Sequence, residues 1–300
     1  MALNPRASAP RPFKVVDVPG KGKGVVSTRA IQAGELVLAE KPLFTAGLVR
    51  PEASLAAKVA QLSSVDQLAF YSLSIAPPST CYGPHRARFD TNALPLGEDA
   101  TEAGLFPVGA RFNHSCRPNV SRFWEEAAGE EWFVASVNIP PSTELTIYYN
   151  ALDSPRAERQ AYLLRTLGFK CTCERCDLAP DEVEKSDQRM RFYAQIEALI
   201  PTLFAEPHKL VTLAKAGLNL LAEEGLHTGA AALAYDAFQG AAFAGDKEAA
   251  KAWATRACEL KVRETGREAG SYKRMESLAA DPTRYNAWGF LGVKRQVPRP

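Results

Sequence analysis

No stretch of this chain approaches the roughly 20 consecutive apolar residues that a membrane-spanning helix requires, which sets aside a helical membrane protein. An excess of one charge is also lacking. The 36 basic and 34 acidic residues are well mixed and leave a net +2, so no basic stripe for nucleic acid is indicated. Near the start there is no apolar segment of the kind that heads a secretory signal. Arg6 and Arg11 come without an early acid, but prolines interrupt any amphipathic helix there. Residues 1–12 are therefore expected to form a short disordered leader. Without a secretory signal the thiols should stay reduced, in a cytoplasmic or nuclear setting, and clustered cysteines then favour metal over disulfides. The glycine loop Pro19-Gly20-Lys21-Gly22-Lys23-Gly24 lacks the Gly-Lys-Ser/Thr ending of a phosphate-binding loop. What is present is ordinary globular composition, 46% apolar and 23% charged. A length of 300 residues suits one medium catalytic domain and a smaller second one.

The texture divides the chain. Up to about residue 150 it reads as short strands punctuated by Gly and Pro: Phe13 to Val18, Glu35 to Glu40, Trp132 to Asn138 and Leu145 to Tyr149. Phe133, Ala135 and Val137 should share one face. A helix is expected from about Glu52 to Phe70, burying Leu55, Val59, Leu62 and Leu68. Ser154-Pro155 reads as a helix start, with a capping hydroxyl and then proline, and Gly168 as its stop. Beyond about Ala179 the segments become long and rich in alanine and leucine. Phe192, Ile196, Leu199 and Leu203 hold helical spacing, kinked or broken by Pro201. Ala230, Leu233, Ala234, Ala237, Phe238 and Ala241 form a second stripe. Gly245-Asp246 stops that helix and caps another carrying Ala250, Trp253, Ala257 and Leu260. Two helices so closely linked should pack antiparallel, like a tetratricopeptide hairpin. They serve either as a cap on the catalytic part or as a surface for a protein partner.

Two segments carry chemistry. Cys171, Cys173 and Cys176 place three thiols within six residues, and structural zinc wants four ligands in a tetrahedron. Cys81, His85, His114, Cys116 and Cys258 could supply the fourth. The second segment, Arg111-Phe-Asn-His-Ser-Cys-Arg-Pro-Asn119, is a polar cluster with apolar neighbours. Taken with the three thiols, its Cys116 becomes the natural fourth ligand. Metal–thiolate bonds would then offset the entropy of closing about 55 residues of chain.

In this combination the chain resembles a SET domain followed by a cysteine-rich post-SET segment, closest to the SET-and-MYND lysine methyltransferases and their fungal relatives. The matching stretches run in the family's order: Gly20 to Val26, Glu40 to Leu43, Thr91 to Ala93, Gly109 to Asn119, Glu144 to Tyr149, and Gly168 to Cys176. The resemblance implies an α+β fold: a β-rich SET domain with a knot-like core over residues 13–150 (insert about 50–105), a zinc-binding post-SET segment over 151–179, and an all-helical, tetratricopeptide-like domain over 180–300. It also implies an enzyme that transfers the methyl group of S-adenosylmethionine to a protein lysine.

By the same resemblance, Lys21, Gly22, Lys23 and Gly24 lie against the cofactor, with Asn92, Asn113, His114 and Phe169 as further contacts. Tyr149 is the active-site tyrosine, and Tyr148, Tyr149 and Phe169 line the lysine channel. Cys116, Cys171, Cys173 and Cys176 hold structural zinc. Several features depart from the closest relatives. No second Cys/His cluster exists for a MYND finger, Thr143-Glu144 replaces the usual Gly-Glu, and Leu167 stands where some relatives have a channel tyrosine. Two other readings stay open: a degenerate SET module that binds cofactor or protein without transfer, and a SET-type enzyme acting on a small molecule. Neither nucleic acid nor membrane is an expected partner.

Overall fold

Glycine turns and short β-branched runs fold the N-terminal half into three small sheets in the computed structural model, which describes residues 11–97, 99–149, 154–292 and 295–300. Most of the expected leader, residues 1–10, lies outside these. In chain order the strands are β1 (Phe13–Val18), β2 (Gly22–Ser27), β3 (Leu36–Glu40), β4 (Thr45–Gly47), β5 (Leu94–Pro95), β6 (Glu102–Gly104), β7 (Asn113–His114), β8 (Val120–Glu125), β9 (Glu130–Ala135) and β10 (Glu144–Ile147). The first sheet has the order β1-β2-β10-β7, the second β3-β9-β8 and the third β4-β6-β5. A tight turn joins β1 to β2, and Gly20 and Gly22 take φ values of 75° and 72° there, a region other residues avoid.

One pairing is parallel: β10 runs beside β7, with Thr146 opposite Asn113 and Ile147 opposite His114. Asn119 reinforces it, since its Nδ2 donates to the Glu144 carbonyl (2.9 Å) and its Oδ1 accepts from Thr146 N–H (2.8 Å). Val25 and Leu145 from the first sheet and Val120 and Phe133 from the second close on Ile31 and Phe112 in one core. Phe112 and Phe133 stack with centroids 4.6 Å apart.

The helices are α1 (Glu52–Ala60), α2 (Ser64–Tyr71), α3 (Pro84–Asn92), α4 (Arg156–Leu167), α5 (Pro180–Leu199), α6 (Pro207–Glu224), α7 (Ala230–Phe243), α8 (Lys247–Thr265) and α9 (Gly270–Ala280). The result is an α+β chain, with sheets in the N-terminal part and helices dominating the C-terminal region. The α7 stripe is buried as its spacing requires, and Asp246 caps α8 by accepting from Ala249 N–H at 3.1 Å. Trp253 of α8 is fully buried and donates its indole N–H to the Pro298 carbonyl.

Four local expectations fail for physical reasons. The single helix over 52–70 is two helices, because Ser63 takes an extended conformation and caps α2 through Asp66 N–H; Leu68 is then 71% exposed while Phe70 is buried. Ser154 makes no side-chain cap on α4, whose N-cap position is Pro155. On α5 the buried face is Met190, Tyr193 and Ile196, so Phe192 and Leu199 face outward; the helix does end at Leu199, before Pro201. The alternation in β9 is hidden because α8 packs against β8 and β9, and residues 131–135 are all buried.

A buried ionic cluster ties the helical region to the cysteine-rich turn. The Glu224 carboxylate, at the end of α6, accepts from Arg175 Nε (2.9 Å), Arg189 Nε (2.5 Å) and Ser186 Oγ (2.7 Å), while its carbonyl accepts from Arg117 Nε (2.8 Å). Burial alone would raise the Glu224 pKa. The hydrogen bonds from Ser186 and Arg189 and the Arg175 charge outweigh it, and the carboxyl is held below its usual range. The stability this contributes is full above the ordinary carboxylate pKa and is lost as pH falls through the depressed value. Glu224→Ala strands buried guanidinium charge, and a loss of about 3–5 kcal/mol is expected in urea unfolding at neutral pH. A loss under about 1 kcal/mol would mean the cluster contributes no more than an exposed pair.

Candidate active site and metal centre

The turn after α4 builds a four-thiol cluster. Gly168 ends α4 in the left-handed conformation (φ 74°), where its N–H still bonds the Leu164 carbonyl. Gln160 then grips the chain at Cys171 in both directions: its Oε1 accepts from Cys171 N–H (3.0 Å) and its Nε2 donates to the Cys171 carbonyl (2.6 Å). Cys116 arrives from the segment after β7. The sulfurs of Cys116, Cys171, Cys173 and Cys176 all lie within 4.8 Å of one another, and those of Cys116 and Cys176 are 3.6 Å apart. Tetrahedral zinc with bonds of about 2.3 Å separates its sulfurs by about 3.8 Å, so the donor set fits that ion. Hydrogen bonds from Cys116, Cys171 and Cys176 hold the Cys173 thiol below its ordinary pKa. Arg159 and Arg175, both fully buried, set positive charge beside the thiols. Neither arginine was anticipated, since an isolated arginine in a sequence reads as surface charge.

His114 connects the thiols to the tyrosine. Its Nδ1 accepts from the Tyr149 N–H at 3.0 Å, so Nδ1 is unprotonated and Nε2 carries the proton toward Cys116 Sγ, 3.3 Å away. Burial pushes the His114 pKa down to about 4, which keeps the ring neutral at physiological pH. The Tyr149 hydroxyl donates to the Phe112 carbonyl at 2.6 Å. Burial, helped by the charge of Glu144, holds that phenol above its ordinary pKa. It therefore stays a neutral hydroxyl, able to donate and accept but not to serve as a base.

Two cavities meet at Tyr149. The first, about 380 Å3, is lined by Lys21, Asn113, His114, Tyr149 and the turn from Phe169 to Cys173. Glu144 organises its polar side, accepting from Lys21 Nζ (2.7 Å) and Asn113 Nδ2 (2.9 Å). Gly24 lets Asn113 approach, for a Cβ there would stand 2.8 Å from Asn113 Nδ2 and 2.5 Å from Val18 Cγ2. The second cavity, about 280 Å3, is lined by Asn92, Arg122, Tyr148, Tyr149, Tyr162 and Leu167. It continues past Tyr148 and Arg122 into a cleft of about 830 Å3 between β8 and the helical region.

Of the expected cofactor contacts, Lys21, Asn113, His114 and Phe169 thus share one cavity. Gly22, Lys23 and Gly24 open β2 behind it; Lys23 pairs with Asp17 at 2.8 Å and offers its carbonyl to Asn113. Asn92 stands apart. Its amide donates to the Ser74 and Arg88 carbonyls, both at 2.7 Å, and it faces the second cavity with Tyr148. It lines a different cavity from Asn113 and His114 because α3 holds the amide against its own turn.

Residues 22–150, which carry strands β2 to β10 and Tyr149, match the SET domain family. The chain is accordingly an enzyme of the protein-lysine methyltransferase class. It is 29% identical over 275 residues to the histone-lysine N-methyltransferase set5 of Schizosaccharomyces pombe, covering 90% of this chain and 84% of that protein. Shorter matches include the histone-lysine N-methyltransferase ATXR2 of Arabidopsis thaliana, 40% identical over 87 residues, or 27% of this chain and 18% of that one. The SET domain-containing protein SmydA-8 of Drosophila melanogaster is 36% identical over 81 residues, or 27% of this chain and 17% of its own.

Proposed function

We propose that this chain transfers a methyl group from S-adenosylmethionine to the side-chain amine of a lysine presented by a protein substrate, histone or otherwise, in the cytoplasm or nucleus. The observation that carries the reading is the position of Tyr149, which borders both cavities and so faces a donor on one side and an acceptor on the other. In this reading residues 13–150 act as the catalytic domain, 151–179 as a zinc-binding post-SET segment, and 180–300 as a helical domain. In this reading the chain is kin to the SET-and-MYND enzymes and their fungal relatives.

Lys21, Asn113, His114 and Phe169 would hold the cofactor, with Gly22, Lys23 and Gly24 shaping the loop behind it. Bound there, S-adenosylmethionine supplies a methyl group made electrophilic by its sulfonium. The lysine side of the problem falls to the chain. At pH 7 a lysine of pKa about 10.4 is almost wholly an ammonium without a lone pair, and removing the proton costs about 4–5 kcal/mol. Tyr148, Tyr149, Phe112 and Leu167 line the second cavity and strip water from the amine, which lowers its pKa. The Tyr149 hydroxyl, anchored on the Phe112 carbonyl, fixes the amine in line with the donor, so positioning accounts for most of the acceleration. Zinc in this scheme is structural, and clamps the turn that walls the first cavity.

Incubating the protein with methyl-labelled S-adenosylmethionine and a cell lysate tests the reading. Label on lysine of discrete proteins is expected. Cofactor binding with no transfer, or label confined to small metabolites, would overturn it.

A further inference from the structure

Arg159 stands where a cation has little reason to be. It is 1% exposed, and it lies in the first turn of α4, the end at which a helix dipole disfavours positive charge. Arg175, the other buried guanidinium of the cluster, has the Glu224 carboxylate opposite it at 2.9 Å. Among the described residues no carboxylate answers Arg159 in the same way. Its Nη1 donates to the Ser154 carbonyl at 2.5 Å, and its buried Nε meets no acceptor.

What faces Arg159 is sulfur. Burial works against its charge, but Cys116 and then Cys176 outweigh burial and hold the guanidinium pKa above its ordinary value. Its neighbours on α4 touch the same thiols. Gln160 grips Cys171 by N–H and carbonyl, and Leu163, one turn on, packs among Cys116, Cys171 and Cys176. Four thiolates around a divalent ion leave two net negative charges. A guanidinium keeps its charge at every working pH, and a buried one without a carboxylate needs some other anion against it.

We infer that Arg159 is a positioning residue of the metal centre, whose fixed charge is the counter-ion of a zinc tetrathiolate and strengthens the grip of the four thiols on the ion. The inference rests on the thiols holding zinc and is independent of what the enzyme methylates. It has a reciprocal consequence: the ion's thiolates also stabilise the buried guanidinium, so the worth of Arg159 should depend on whether metal is bound.

The test uses the full chain as wild type, Arg159→Gln, Arg159→Lys and, as a control on the exposed side of α4, Arg165→Gln. Zinc affinity is read by competition with a chromophoric chelator, site geometry by cobalt absorption, and stability by melting with and without metal. Arg159→Gln keeps a donor for the Ser154 carbonyl but removes the charge, and it should weaken zinc binding by about 10–100-fold, the scale of lost outer contacts to a metal ligand. At saturation its cobalt spectrum should keep the tetrathiolate bands, because all four thiols remain. Arg159→Lys, which keeps the charge, should recover most of the loss, and Arg165→Gln should lose nothing. Without metal, Arg159→Gln should melt no lower than the metal-free wild type, since the unanswered cation is gone. Zinc affinity within about threefold of the wild type, a lysine variant as weak as the glutamine one, or an equal drop in melting temperature with and without metal overturns the inference. So does a glutamine variant that stays unfolded at any zinc concentration, because mass action should rescue a merely weakened site. A wild type that binds no zinc removes the metal reading itself, and the inference with it.

Discussion

Changing Cys173 to serine is expected to empty the metal centre and, with it, abolish cofactor binding. Its sulfur lies within 4.8 Å of the other three and accepts from the Cys116 N–H at 3.4 Å. Serine offers no comparable donor to a soft, thiolate-preferring site. Structural zinc contributes about 10–16 kcal/mol of apparent binding free energy in small domains, against total stabilities of about 5–15 kcal/mol. Loss of one ligand therefore threatens the whole catalytic half and not merely a loop. The consequence for the first cavity is direct, because residues from Phe169 to Cys173 form its wall. Metal analysis should fall from a single zinc per chain to near none. The melting temperature should drop by about 10 °C or more, as a loss of several kcal/mol implies for a chain of this size, and S-adenosylmethionine binding should vanish. Removing zinc with a strong chelator should give the same result in the wild type. Cys81→Ser and Cys258→Ser, whose thiols lie outside the cluster, should change none of these. A Cys173→Ser protein that kept its zinc and bound cofactor normally would show that the thiols hold no metal that matters.

Much of this centre was legible in the sequence because its parts are chemically conspicuous. Three thiols in six residues demand an explanation, and Cys116 lies in a polar run where apolar residues would be expected. The left-handed stop at Gly168 and the α7–α8 pair were legible for the same reason: glycine φ and helical period are local properties. Other features were hidden because they depend on what packs from far along the chain. Asn119 sits in the conspicuous run, yet its task is to complete the pairing of β10, which only the parallel alignment with β7 reveals. Arg159 and Arg175 look like solvent-facing charges until the thiols and Glu224 are brought against them. Helix α8 covers β9 from more than a hundred residues away and erases the alternation expected there. Asn92 was legible as part of a motif but not in its direction, because that is set by how α3 lies against Ser74.

Tyr149→Phe is expected to cut kcat by about 10²–10³, the usual cost of deleting one preorganised hydrogen-bonding group at a reacting centre. The affinity for S-adenosylmethionine should stay within about twofold to threefold, as Asn113, His114, Lys21 and Phe169 are untouched and the backbone N–H of residue 149 still donates to His114 Nδ1. Some stability is lost as well, about 1 kcal/mol, because the Phe112 carbonyl loses a donor. A fall in kcat of hundreds-fold cannot come from that source if the variant remains folded at the assay temperature. The pH profile separates orientation from base catalysis. Burial keeps the phenol neutral through the working range, so the proton lost before transfer is the substrate's own. The rate should rise with pH as the lysine amine is uncovered, and the variant's profile should run parallel to the wild type's at a lower level. If the substitution instead flattened the profile, Tyr149 would be taking the proton itself. If kcat stayed within about threefold of the wild type, its hydroxyl would be a packing feature of the first sheet, and the junction of the two cavities would need another group to orient the amine.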